Sequence, residues 1–119
     1  IHPRTKKFLN KFNINIPNNI IVVSPLSYKE MISVQLNCKY ILTDSGGLQK
    51  EAYFAKKNCL ILRDTSEWKE LIEKKYSFLI KNSINLKYFN SLNKKFDSKF
   101  YGNGNTCKKI INLLIKNAK

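Results

Sequence analysis

Short apolar runs recur along this chain at a steady interval, and that interval restricts the possible folds more than any single motif does. Residues 20–23, 40–43, 59–62 and 77–80 are short β-favouring segments, and stretches of ten or so residues with apolar positions at helical spacing lie between them. Strand followed by amphipathic helix, repeated, is the pattern of βα units. It predicts an α/β fold with a mostly parallel, doubly wound sheet and helices on both faces. Helices are expected over residues 5–12, 28–37, 47–56, 67–75, 86–95 and 106–116. In the second of these Met31, Ile32, Gln35 and Leu36 fall at helical spacing, and Pro25 with Ser27 supplies a stop and a cap just ahead of it.

At 119 residues and 43% hydrophobic content, the chain suits one modest core, so residues 1–119 are expected to be one domain. It has no apolar run long enough to span a bilayer and no signal-peptide profile at its start, which points to a cytoplasmic protein without a membrane partner. Ile1-His2-Pro3 reads as the C-terminal end of a strand entering a loop, so a preceding segment is expected to be missing. The three cysteines, Cys38, Cys59 and Cys107, do not form CxxC pairs. Cys38 and Cys59 adjoin apolar runs and are expected to act as small buried hydrophobes. A net charge of +14 raises a nucleic-acid reading, but the lysines are scattered, with no basic cluster and no Arg–aromatic interleaving. Nucleic acid is therefore not an expected partner.

Against this background the rare residues carry information. Only Arg4 and Arg63 are arginines among 22 Lys and Arg, and the four glycines fall as Gly46-Gly47 and Gly102-Asn103-Gly104. The segment from Tyr40 to Ala52 reads as a buried strand, a tight Ser45-Gly46-Gly47 turn and a helix. Unpaired amides at a helix start attract an anion, and two glycines let a phosphate or diphosphate come close. Ser45 can equally serve as a helix cap. Glu51, one turn beyond Gly47, suits paired ribose hydroxyls, or is an exposed charge facing a lysine. The loops holding His2 with Arg4, and Arg63 with Thr65, are expected at the same carboxyl edge of the sheet. The local alternatives are a salt bridge from Arg63 to Asp64 or Glu67, and a loop hydrogen bond at His2.

These residues coincide with a known pattern. His2-Pro3-Arg4, Ser24-Pro25-Leu26-Ser27-Tyr28, Thr43-Asp44-Ser45-Gly46-Gly47-Leu48-Gln49-Lys50-Glu51-Ala52, Leu62-Arg63-Asp64-Thr65-Ser66-Glu67 and Tyr101-Gly102-Asn103-Gly104 together resemble the C-terminal domain of the non-hydrolysing UDP-N-acetylglucosamine 2-epimerases. The resemblance implies the C-terminal half of a two-domain, Rossmann-like fold of the glycosyltransferase-B type, with the N-terminal domain absent here. It implies an isomerase that inverts C2 of a UDP-sugar by eliminating and re-adding UDP, without a cofactor and without a metal, in a polysaccharide precursor pathway. Ser45, Gly46 and Gly47 would hold the diphosphate with Arg4 and Arg63, Glu51 the ribose, and Met31 the uracil, while His2 would be catalytic. The family's acid and base carboxylates come from the absent domain. That domain, the UDP-sugar and a second copy of the protein in a homodimer are the implied partners.

Two positions depart from the commonest form of this pattern. Trp68 stands where many members have an arginine, and Lys50 where glutamate is common. Both resemble the subgroup that epimerises UDP-2,3-diacetamido uronic acids. Lys50 is expected to be an exposed helix residue without consequence. The remaining readings are a glycosyltransferase of the same architecture, a truncated UDP-binding or non-binding fragment, and a basic nucleic-acid module.

Overall fold

The computed structural model describes residues 1–80 and 95–118. It separates into two compact units, Ile1–Asn37 and Cys38–Lys119.

The first unit holds two helices. Helix α1, Pro3–Lys11, starts with proline in its first turn and is capped by His2, whose side chain accepts from the Arg4 amide; proline suits this position because its missing N–H would have been unpaired anyway. Helix α2, Tyr28–Asn37, opens with reciprocal bonds between Ser27 and Glu30. The Ser27 amide and hydroxyl donate to the Glu30 carboxylate at 2.8 and 2.6 Å, and the Glu30 amide donates back to the Ser27 hydroxyl at 3.4 Å. This is a capping box, and it holds the Glu30 carboxyl below its ordinary range, mainly through the Ser27 hydroxyl.

The strand expected at residues 20–23 is not formed. A strand exists only through its ladder, and none forms in this unit: Ile20 closes a turn onto Pro17, Val23 accepts from the Ile1 amine, and Ile21 is left 90% exposed.

The second unit is built on a parallel sheet in the order β1, β2, β3. Its elements run β1 (Ile41–Thr43), α3 (Gly46–Phe54), β2 (Cys59–Ile61), α4 (Lys69–Glu73), β3 (Ser77–Leu79) and α5 (Thr106–Asn117). Register pairs Leu60 with both Leu42 and Phe78. The middle strand, flanked on both edges, is buried at all of its positions, whereas β1 alternates. Ala52, Cys59, Leu60, Ile61 and Leu71 are wholly inaccessible, each large aliphatic contributing on the order of 2 kcal/mol by leaving water.

Helix α3 serves two cores. Ala52 packs with Ile41, Cys59 and Ile61, and Cys38 lies against them; Tyr53 packs with Leu71 and Tyr76, joined by Trp68, Phe96, Phe100 and Tyr101. Cys59 is thus the buried hydrophobe expected of it, with its thiol pKa pushed up to about 12 by desolvation. Gly102 and Gly104 turn the chain into α5 at φ +89° and +79°, a backbone region that glycine enters without strain.

Among the described residues, three strands and five helices lie where the periodicity places them, with ends shifted by a residue or two. The helix most shortened is α4, which runs Lys69–Glu73 rather than over 67–75; its start is delayed because Ser66 and Trp68 are held by other bonds described below. The helix expected over residues 86–95 lies, Lys95 apart, outside the described residues. No helix among the described residues is long and apolar enough to cross a membrane.

Candidate functional site

Between β1 and α3 the chain has only Asp44 and Ser45 in which to turn. The turn is fixed from both sides: Thr43 Oγ1 accepts the Ser45 amide at 3.0 Å, and Ser45 Oγ accepts the Leu48 amide at 3.5 Å. Ser45 is therefore a helix cap, as its local alternative has it. A cap bond this long leaves the hydroxyl free to rotate and donate to an anion. The Gly46 and Gly47 amides, at the first two helical positions, have no intrahelical acceptor. Glu51 stands exposed one turn further along the helix.

The loop after β2 reaches this turn. Arg63 Nη1 donates to Glu67 Oε1 at 2.8 Å and to Oε2 at 3.2 Å, so the salt-bridge alternative for Arg63 is realised with Glu67. The Glu67 carboxylate lies against Gly46: a Cβ placed on that glycine would come within 3.2 Å of Oε2. The glycine is what makes room for it. The Glu67 carboxyl is held below its ordinary range by its own backbone amide and by the Arg63 guanidinium.

The residues flanking Glu67 are tied to the same helix. Trp68 Nε1 donates to the Gly46 carbonyl at 2.8 Å. Ser66 Oγ donates to the buried Gln49 Oε1 at 2.6 Å and accepts the Trp68 amide at 3.0 Å. Lys50, expected to be exposed and inconsequential, is half-buried instead. Its ammonium sits 3.8 Å from the Trp68 ring centre and 4.3 Å from that of Tyr101. The Tyr101 hydroxyl donates to Glu70 Oε1 at 2.7 Å, which lowers the Glu70 pKa; burial first, and Glu70 second, raise that of Tyr101. The two positions that depart from the commonest sequence pattern therefore touch one another.

In the first unit His2 Nδ1 accepts the Arg4 amide at 3.2 Å, the loop bond that was its alternative reading. With Nδ1 accepting, the proton of the neutral ring is on Nε2, which is thereby a donor. The Arg4 guanidinium lies 5.8 Å from the Phe8 ring centre. Met31 is half-buried in the first turn of α2.

The structure thus brings Ser45, Gly46, Gly47 and Arg63 into one neighbourhood and adds Glu67, Trp68, Ser66 and Gln49 to it. Sequence reasoning did not assign site roles to these four. The signal available for them was position, since Ser66, Glu67 and Trp68 end the loop that opens with one of only two arginines.

The family model described as UDP-N-acetylglucosamine 2-epimerase matches residues 1–115. A UDP-N-acetylglucosamine 2-epimerase homolog of Methanococcus maripaludis is 42% identical, over 96% of this chain and 34% of its own. A UDP-2,3-diacetamido-2,3-dideoxy-D-glucuronate 2-epimerase of Pseudomonas aeruginosa is 34% identical, over 98% of this chain and 34% of its own. The UDP-GlcNAc 2-epimerase of Methanocaldococcus jannaschii, solved in complex with UDP-GlcNAc and UDP, is 35% identical and superposes with a TM-score of 0.77, covering 98% of this chain and 34% of that one. The chain therefore spans about a third of the length of these relatives.

Proposed function

We propose, from the premise that this chain belongs to the UDP-N-acetylglucosamine 2-epimerase family, that residues 1–119 are the nucleotide-holding C-terminal domain of an enzyme that inverts C2 of a UDP-sugar. The observation that carries the reading is the Ser45-Gly46-Gly47 turn, opening α3 with the Arg63 loop against it. First-turn amides, a rotatable hydroxyl and a guanidinium are the donors that a diphosphate needs.

In the proposed reaction a base takes the C2 proton, the C–H electron pair becomes the C1–C2 double bond, and the C1–O pair leaves with UDP. Re-addition of UDP and return of the proton to the opposite face invert C2. Negative charge grows on the departing β-phosphate, so donors fixed around it lower the barrier. Ser45, Gly46, Gly47 and Arg63 are proposed to supply them, with Glu51 accepting from the ribose hydroxyls. Arg4 is proposed as a further phosphate ligand, Met31 as an apolar surface for uracil, and the His2 Nε2–H as the donor to the leaving group. The groups that move the C2 proton are assigned to the part of the enzyme outside these residues, and no cofactor or metal enters the scheme. The two substrates named for the relatives share UDP and a 2-acetamido group, and that shared chemistry defines the substrate class proposed here.

Calorimetric titration of the chain with UDP tests the reading. Saturable binding is expected, weakened at least tenfold by the Ser45→Ala/Glu51→Ala double substitution. Binding that the double variant retains in full would sink it.

A further inference from the structure

Resting on that reading of the glycine turn, we infer that the Glu67 carboxylate is a built-in stand-in for the nucleotide's phosphate, which the ligand must displace. Glu67 therefore sets how tightly a diphosphate is held. Three observations converge on it. The carboxylate lies beside Gly46, at the start of α3, where a Cβ would be only 3.2 Å away, and a helix start attracts anions. It also takes Arg63, through Nη1 bonds of 2.8 and 3.2 Å, the one guanidinium of this loop. Finally, the neighbours of Glu67 are tied to α3, Ser66 to Gln49 and Trp68 to the Gly46 carbonyl, so the backbone between them is fixed beside the helix start while the Glu67 side chain can rotate. An exposed pair of this kind gains little stability by itself. What the arrangement does is pair Arg63 and set a carboxylate beside the start of α3.

A nucleoside diphosphate arriving at Gly46 and Gly47 would meet this carboxylate as a like charge. Two anions cannot share the first turn at that spacing, so Glu67 swings into solvent and Arg63 changes partner from carboxylate to phosphate. Nothing in this exchange requires Ser66 or Trp68 to move, since their bonds run through other atoms. The exchange makes part of the binding free energy conditional on phosphate, and a ligand without phosphate would leave Glu67 in place.

Glu67→Gln keeps the shape and removes the charge. UDP is expected to bind this variant about fivefold more tightly than the parent chain, the size of one solvent-screened contact between unit charges at 4 Å. Uridine, which has nothing to displace, should bind both equally. Arg63→Met, measured alongside, should weaken UDP and leave uridine unchanged. If UDP binds the parent through Ser45 and Glu51 while Glu67→Gln binds it equally or more weakly, the stand-in role is overturned and Glu67 becomes a positioning group for Arg63; the proposed function survives. If neither parent nor variant binds UDP saturably, the nucleotide reading fails and takes this inference with it. A gain that extends equally to uridine would also overturn it, since the substitution would then have loosened the site as a whole.

Discussion

Ile61 in β2 and Ile21 in the first unit occupy similar apolar runs, Cys-Leu-Ile and Ile-Ile-Val, yet one is inaccessible and the other 90% exposed. The difference lies in neighbours. Ile61 has a hydrogen-bonded strand on either side and α3 packed over it, so its side chain meets other side chains. Ile21 has no ladder, and Gln35 is the one buried residue in the whole of Ile1–Asn37. Helix α1 has no buried residue at all. A hydrophobic run is a statement about what a segment can bury, and its surroundings decide whether it does. The second unit carries its own surroundings through three parallel strands, and the first does not.

The hardest test of that contrast is truncation in each unit. Leu60→Ala in the inaccessible middle strand is expected to cost ~2–5 kcal/mol, from lost transfer energy and the cavity left behind. Ile21→Ala should stay within ~0.5 kcal/mol. Trp68 is the only tryptophan and lies beside the second core, so its fluorescence in urea follows that unit. Equal shifts for the two variants would erase the distinction.

A smaller loss is expected at the polar tie beneath the glycine turn. Gln49 is fully buried, its Oε1 accepts from Ser66, and its amide nitrogen has no partner among the described residues. Ser66→Ala would leave the whole amide unpaired, a cost of ~1–3 kcal/mol. The same variant frees the Trp68 amide, so the tryptophan emission of the native state should also change. Ser27→Ala in the first unit removes a cap from an exposed helix and should not alter the Trp68 transition.

These two sites also mark how far the sequence is legible. The strand at 59–61 could be read because a buried parallel strand is uniformly apolar, and those at 41–43 and 77–79 because each carries an adjacent apolar pair, patterns that are local. The Ser45-Gly46-Gly47 turn was legible because its capping bonds, from Thr43 to Leu48, are local. The failure at residues 20–23 has the opposite cause, since pairing is a property of another segment. The neighbours of the turn were invisible likewise. Glu67 meets Gly46 across 21 positions, and Trp68 meets Lys50 across 18, contacts that only the assembled sheet creates. Local reasoning therefore singled out the glycine turn and the arginine of the facing loop, but took Lys50 for an exposed residue without consequence and did not connect it with Trp68, against which it is packed.

Alkaline pH probes the second unit through its thiol. Cys59 is shifted from an ordinary 9.0 to about 12 by burial. The folded form thus favours the neutral thiol, and the stabilisation is complete below pH 9 and is lost as pH rises from 9 towards 12. Tyr53 and Tyr101, both raised mainly by burial, push in the same direction. Urea midpoints are expected to be flat from pH 7 to 8.5 and to fall above 9, less steeply in Cys59→Ala. Under native conditions Cys107, which is exposed, should be alkylated while Cys59 is protected. Mass spectrometry that finds both labelled at one rate would show the core to be open.

The smallest effect separates two cation–π contacts that differ in setting. Lys50 lies between Trp68 and Tyr101 at 3.8 and 4.3 Å and is half-buried. In the first unit the exposed Lys11 stands 5.5 Å from the ring of the equally exposed Phe12. An ammonium clasped by two rings has given up water on both sides, so the ring faces replace part of its hydration and are worth more to it. Lys50→Met is expected to cost ~1 kcal/mol and to change Trp68 emission, because a charge 3.8 Å from the indole ring disappears. Lys11→Met should change neither. Should Lys50→Met leave stability and emission untouched, the clasp would be only a surface encounter, and the Trp68 and Ser66 hydrogen bonds would be what ties the loop after β2 to α3.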